Sequence, residues 1–534
     1  MAALRITFPG GDLTDDATTQ DLDELERRTE LGRQMGGEDS IAFHHSRGKL
    51  TVRERLDLLV DEGSMEEFGF LRGQGLYGDN GELVGFTPKG EVNAMATIDG
   101  RRVIVNGGDF TVRGGSASGG HGGLGEEMSP AERAREWRIP LVRLLDAAGG
   151  SVRGFEEIGR TYLPDGNSFT LPDVQLLNTV PVVSAVMGSV AGLPAVLACT
   201  AHWNVMVEGT SQIFPGGPPV VKAALGEDVT KEELGGPQIH TRVSGCVDNL
   251  ADTEEDALAQ IRRFLSYMPN SVHEMAPHAP TTDPTDRLAP ELRTLVPDNP
   301  RQIHDARTLV EAVVDEGSFF EIAPDFGRAR ITGLARFGGY PVGLMANNPK
   351  FHGGATDVDA GSKSARLLQL CDAFNLPVVD LADEPGFHVG IESERKGIER
   401  AGARLVSLTC QTQMPWITIV IRRLYGVAGQ CHHRPTGMYR RYCWPSGRWG
   451  SMHIAGGASA AYRGEINAAD DPEAKRQEIE DRLNALASPY RTAEATGQDI
   501  IDPAHTRRLI CQFVEQAQPI LQSQLGPAPL PYLP

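Results

Sequence analysis

The chain repeats itself, and that repetition restricts its fold more than any other feature. Val60–Ser64 and Val314–Ser318 both read VDEGS, an acidic turn displaced by 254 positions. Ile139–Gly150 (IPLVRLLDAAGG) resembles Leu376–Phe387 (LPVVDLADEPGF) at a displacement of 237. Val180–Gly192 (VPVVSAVMGSVAG) resembles Met414–Gly426 (MPWITIVIRRLYG) at 234. The order is the same in both halves and the displacement drifts by short loops, as an old tandem duplication would leave it. In the two longer pairs a proline opens a run of apolar, largely β-branched residues, which predicts a buried strand ending at glycine. Helices are predicted next, over Gly149–Arg160 and Gly390–Leu408. Strand, glycine turn and helix, repeated, mean an α/β architecture.

A boundary between the halves is legible. Asp252–Met268 has the apolar spacing of an amphipathic helix, with Asp252 as the expected N-cap and Pro269 as its stop. The next 25 residues, 276–300, contain six prolines and read as a stiff connector without a core of its own. We therefore expect two domains, 1–280 and 281–534, with a late helix at Asp471–Pro489 matching the one at Asp252–Met268.

Composition narrows the function. The formal net charge is −20, from 51 basic and 71 acidic residues, which disfavours nucleic acid or an anionic membrane as the main partner. No apolar run is long enough to span a bilayer, and the N-terminus lacks the pattern of a secretory or transit peptide, so a cytoplasmic location is expected. The seven cysteines form no C-x-x-C pair, which argues against a zinc site or a disulfide framework. The marks of serine hydrolases, zinc proteases and P-loop ATPases are missing. What remains is glycine-rich backbone at strand ends: Gly149, Gly150 and Gly192 in the first half, Gly386, Phe387, Gly426, Val427 and Ala428 in the second. Backbone N–H groups from two neighbouring turns can converge on one oxygen and stabilise an oxyanion.

At these residues the chain resembles the β subunit, or carboxyltransferase component, of biotin-dependent acyl-CoA carboxylases of the propionyl-CoA and acetyl-CoA type. His45–Glu67 (HSRGKLTVRERLDLLVDEGSMEE) is similar to that family's opening motif, and Asn106–Ser116 (NGGDFTVRGGS) to its N-D-F-T-V-x-G-G-S segment. Gly226–Gly236, Cys371–Phe387 and Asp502–Ile510 also match. The resemblance implies two tandem crotonase-like (ββα-superhelix) α/β domains, the first binding acyl-CoA and the second carboxybiotin, with the site formed between halves of different subunits. It implies a homo-hexamer and a partner α subunit carrying biotin carboxylase and the biotin carrier, since no M-K-M motif is present here. Two oxyanions are then held by main-chain amides: Gly149, Gly150, Gly192 and Leu193 for the thioester enolate, and Gly386, Phe387, Val427 and Ala428 for the biotin oxygen. Gly114, Gly115 and Ser116 are expected at the substrate, and Gln430 stands at the position that selects the acyl chain. No metal is called for.

The chain departs from the family's pattern in places. Where A-G-G-A is usual it reads Ala191-Gly192-Leu193-Pro194, and proline has no N–H. Where D-V-P-G-F is usual, Glu384 replaces the valine. After Gly426 the sequence runs through Gln430, Cys431, His432 and His433 to Arg434, Arg440 and Arg441, which suggests a divergent loop, arginines for a polar acyl group or a further anion, or a Cys/His metal site, the last argued against by the lack of a second spaced pair. An acyl-CoA decarboxylase on the same frame and a non-catalytic carboxylase paralogue are the alternative readings.

Overall fold

The computed structural model describes residues 16–116, 128–150, 155–156, 159–161, 166, 170–297, 299, 302–434 and 436–534. Among the described residues, two eight-stranded sheets share one plan. In the first, the strands lie side by side as Glu66–Glu67, Glu91–Ile98, Arg101–Gly108, Leu141–Ala147, Val182–Ala191, Trp203–Val207 and Asn249–Ala251, with Gln212–Phe214 beside the far end of Val182–Ala191. In the second the order is Phe320–Ile322, Arg330–Phe337, Tyr340–Asn347, Val378–Glu384, Trp416–Tyr425, Tyr439–Cys443 and Asp499–Ile500, with Arg448–Gly450 beside Trp416–Tyr425. The leading strands pair antiparallel and the rest parallel in both sheets.

The duplication extends to register. Leu141 faces Val182 as Val378 faces Trp416. Even an irregularity recurs: the ladder slips between Leu145 and Ala147, and again between Ala382 and Glu384. Such a slip bends a strand and re-aims the residues beyond it. Here it lies just before the glycine turns. The central strands Val182–Ala191 and Trp416–Tyr425 are almost wholly buried, which is why they read as continuous apolar runs rather than alternating ones.

The repeated VDEGS has a structural task. The hairpin turns Asp99-Gly100 and Gly338-Gly339 each hold two residues at positive φ, the turn that matches strand twist. The Asp61 carboxylate accepts from the N–H groups of Asp99 (3.0 Å) and Gly100 (2.8 Å), and that of Asp315 from Gly338 (2.9 Å) and Gly339 (2.7 Å). Ser64 and Ser318 accept from Thr97 N and Arg336 N in the same way. The motif therefore pins a hairpin to the helix before it. The repeated turn is not uniformly exposed, however: Asp315 is buried, where Arg507 pairs with it at 2.8 Å.

Three local expectations change. The helix Glu254–Tyr267 is capped by Thr253, whose hydroxyl accepts from Asp256 N, rather than by Asp252. A helix does occupy Pro472–Leu486 with Asp471 as N-cap, but the topological match of Glu254–Tyr267 is Thr506–Ser523, each following the last strand of its sheet. The proline-rich segment does have core contacts: Ala289 and Leu292 are buried against Leu309, Val313 and Phe513. Half of the helix expected over Gly149–Arg160, and the start of the second half at Arg301, lie outside the described residues.

Candidate active site

In the first half the parallel strands end at a cluster of glycines. Gly149 (φ +79°) sits so close to the neighbouring strand that a Cβ on it would lie 2.5 Å from the Ala191 carbonyl oxygen. It bridges to Ser116, and Ala148 N donates to Gly115 O at 3.0 Å. Gly114 and Gly115 are both left-handed. Gly114, Gly115, Ser116 and Gly149 are thus brought together, with Gly192 next to Gly149 and Gly150 on an open side.

Gly192 (φ +68°) caps the helix Leu193–Cys199. Its own N–H donates to Phe214 O at 3.3 Å, and Pro194 has none to give. Leu193 occupies the first helical position, where an amide has no intrahelical acceptor. The Leu193 amide is therefore the donor this turn offers.

Behind the turn lies a buried charge cluster that sequence reasoning passed over. Asp146 is fully buried and pairs with Lys49 and with Arg55 (3.2 Å). Arg55 also binds both oxygens of Glu254, at 2.7 and 2.8 Å, and Met187 O at 3.1 Å. This is what the opening motif builds: Thr51 and Glu54 form a capping box that starts the helix carrying Arg55. Burial, seconded by Lys49, pushes the His44 imidazole down to about 4, so it stays neutral 3.9 Å from Asp146. Burial also lowers the Lys49 ammonium, against the pull of Asp146. Arg47, Lys49 and Lys231 line an adjoining cavity of about 650 Å³ together with Gly114, Ser189 and Gln212. The missed signal was an Asp inside an apolar run, VRLLDA, since a charge in a buried strand must have a partner.

The second half repeats the frame with other chemistry. Phe387 bridges to Thr356 where Gly149 bridges to Ser116. Gly426 (φ +65°) leads into the helix Gly426–Gln430 as Gly192 leads into its own. Val427 is exposed, Ala428 buried and Gln430 exposed at that helix's end. Asp383 takes the place of Asp146 and binds Arg422 (3.0 Å) and Arg423 (2.7 Å), with neutral His304 at 4.0 Å, its pKa pushed down to about 4 by burial. A cavity of about 1240 Å³ adjoins Arg422, Arg423, Tyr425, Arg448 and His453.

The Gly386 N–H is engaged by Glu384 Oε1 at 3.0 Å. His432 is enclosed between Asp380 and Glu384. Of the three arginines beyond it, Arg434 donates to Gln413 O and Arg441 to Gln498, while Arg440 is exposed. Among the described residues no group of three His, Cys, Asp or Glu is placed to hold a metal ion.

Two strand-ending turns with amide donors at each, one beside a cationic cavity, suit the stabilisation of developing oxyanions. Comparison with known proteins agrees. Residues 43–519 match the model of the carboxyl transferase domain family. The propionyl-CoA carboxylase carboxyltransferase subunit of Haloferax mediterranei is 36% identical over 508 residues, covering 92% of this chain and 95% of that one. The methylmalonyl-CoA decarboxylase subunit alpha of Veillonella parvula is 33% identical, covering 92% and 94%. Among solved structures, a transcarboxylase 12S protein crystallised with methylmalonyl-coenzyme A superposes with a TM-score of 0.83 at 31% identity, covering 96% of each chain. The chain belongs to the carboxyl transferase domain family. Its fold is the tandem crotonase-like one of that family, and it is an acyl-CoA carboxyltransferase-type enzyme.

Proposed function

We propose that this chain is the carboxyltransferase subunit of a biotin-dependent acyl-CoA carboxylase, moving CO2 between carboxybiotin on a partner subunit and the α-carbon of an acyl-CoA. The observation that carries the reading is the repeated turn, which presents Leu193 N–H in one half and Val427 and Ala428 N–H in the other. In this reading the first-half turn, with Gly149 and Gly150, holds the thioester enolate oxygen. Phe387, Val427 and Ala428 hold the ureido oxygen of biotin. No side-chain base is required, because carboxybiotin supplies the CO2 and the biotin anion accepts the α-proton. Arg47, Lys49 and Lys231 give the first-half cavity the charge to hold the phosphates of CoA.

Among the described residues, the 650 Å³ cavity is lined by first-half residues and the 1240 Å³ cavity by second-half residues. That separation supports a site completed where halves of two copies meet, in a homo-hexamer of the kind described for the transcarboxylase 12S protein. A biotin carboxylase and carrier subunit is the expected partner, in the cytoplasm. Among the described residues no helix is long and apolar enough to cross a membrane. The domain boundary at 280/281 falls inside the proline-rich segment, before the first strand of the second sheet at Phe320. The relative from Veillonella parvula favours a second reading, decarboxylation on the same frame.

The purified chain, given methylmalonyl-CoA and free biotin, is expected to release propionyl-CoA in a biotin-dependent reaction. Consumption of the thioester only when a decarboxylase complex is reconstituted would favour the second reading. No turnover with either, with the partner subunit present, would leave a non-catalytic paralogue.

A further inference from the structure

Beneath the second-half turn lies a set of buried charges centred on Glu384. In the matched strands Glu384 stands where Ala147 stands. Its side chain is fully buried. Oε1 accepts from Gly386 N at 3.0 Å and from Thr356 N at 3.3 Å. Oε2 accepts from Arg330 at 2.9 Å, from Asn347 Nδ2 at 3.0 Å and from the Thr356 hydroxyl. His432, also fully buried, sets Nδ1 2.9 Å from Asp380 Oδ2 and Nε2 3.3 Å from Glu384 Oε2, and the Thr418 hydroxyl donates to its carbonyl. Arg330 Nη1 lies 3.3 Å from that Nε2 and opposes a charge there. Arg330 pairs with Glu384, and the buried partner of Asp380 is His432. Burial works against protonating His432, but Asp380 and Glu384 outweigh it and raise the imidazole's pKa.

We propose that Glu384, fastened by Arg330, Asn347, Thr356 and His432, is a positioning residue for the second-half oxyanion turn. Thr356 N donates to Gly386 O (3.2 Å) and His388 N to Thr356 O (2.9 Å). The Gly386 carbonyl, which accepts from Thr356, and the Phe387 N–H share one trans peptide and point in opposite directions, so the Phe387 N–H faces away from Thr356, on the side of the strand Trp416–Tyr425. By fixing Gly386 N–H and Thr356 N–H on one carboxylate oxygen, Glu384 holds Phe387 in that orientation. The Gly386 amide is then an anchor, and Phe387 supplies the donor on this strand. This inference rests on the carboxyltransferase reading for its consequence, but not for its geometry.

The test uses the full-length chain and the variants Glu384→Gln, Glu384→Val and His432→Asn, all checked for assembly. Hydrogen–deuterium exchange of the peptide containing Gly386 reads the anchor directly. In Glu384→Val the acceptor is gone. In Glu384→Gln the remaining carbonyl stays with Arg330 and an NH2 group faces Gly386. Exchange at that amide should quicken at least about tenfold in both, and less in His432→Asn. Carboxyl transfer from methylmalonyl-CoA to free biotin should show a kcat at least about tenfold lower in both Glu384 variants, with KM for the thioester unchanged. Unchanged exchange would overturn the proposal, as would faster exchange with unchanged kcat, or a higher thioester KM in place of the kcat loss. If wild type transfers no carboxyl to biotin, the functional reading falls while exchange still decides the anchor. Glu384→Gln, being isosteric, carries the test if the valine variant does not fold.

Discussion

The two turns share a backbone and differ in what the backbone can donate. In the first half, Gly192 N–H is tied to Phe214 O and Pro194 has no N–H, which leaves Leu193. In the second, Val427 and the matched Ala428 both keep theirs. On the preceding strand the order reverses: the first half bridges through a glycine packed against Ala191, the second through Phe387, whose ring packs against Gly402. A duplicated fold therefore conserves the placement of strand ends while each copy changes the number of amides that point from them. Where amides carry the chemistry, the copies are functionally unequal although geometrically matched.

The strongest way to break that comparison is to remove one amide from each turn. Leu193→Pro deletes the donor at the first-half turn, yet proline is well tolerated at a first helical position, so the helix should persist. Losing one oxyanion-hole donor costs about 2.7–4 kcal/mol, or roughly 100- to 1,000-fold in kcat. Ala428→Pro copies the first half's chemistry into the second and should cost less than Leu193→Pro, because the Val427 amide remains at that turn. Steady-state transfer from methylmalonyl-CoA to biotin measures both. Equal losses, or a larger loss for Ala428→Pro, would refute the inequality.

A smaller effect separates close packing from backbone conformation. Gly149→Ala must place its Cβ against the Ala191 carbonyl and adopt φ +79°, whereas Gly192→Ala meets nothing within 4 Å and has only its backbone, φ +68° and ψ −136°, to accommodate. Backbone strain at positive φ costs about 1–3 kcal/mol in each case. The overlap in Gly149→Ala adds to it and pushes the two turns apart. Thermal melting should therefore drop further for Gly149→Ala, with kcat falling in the same order. Indistinguishable melting curves would mean that the contact with Ala191 is relaxed at no cost.

The strands and their order were legible in the sequence because buried parallel strands carry unbroken apolar runs, and duplication prints those runs twice. The glycine turns were legible for a related reason, since Gly149, Gly192 and Gly426 all need positive φ. Which amides are free was not. The bond from Gly192 N to Phe214 O spans 22 residues, and the Glu384 anchor joins residues from four separate segments. Neither leaves a local pattern. The match drawn for the helix Pro472–Leu486 failed because caps and proline stops mark any helix, whereas correspondence depends on which strand it follows.

The smallest expected effects are pH limbs of stability that set the halves apart. His44 in the first half and His304 in the second both have pKa values lowered by burial to about 4, below the ordinary 6.5. The unfolded chain then binds protons that the native state refuses. Their contribution is fully present above about 6.5 and is lost as pH falls towards about 4. His202 and His433, lowered to about 3 and about 4, act in the same sense. His432 is opposite: its raised pKa gives stability that is complete below about 6.5 and fades as pH rises through the native value. Urea midpoints across this range should therefore show His44→Asn and His304→Asn flattening the acid limb alike, and His432→Asn flattening only the alkaline one. If His432→Asn instead steepened the loss of stability with rising pH, the imidazole would have to be neutral in the native state, and the second half's buried carboxylates would need another source of positive charge.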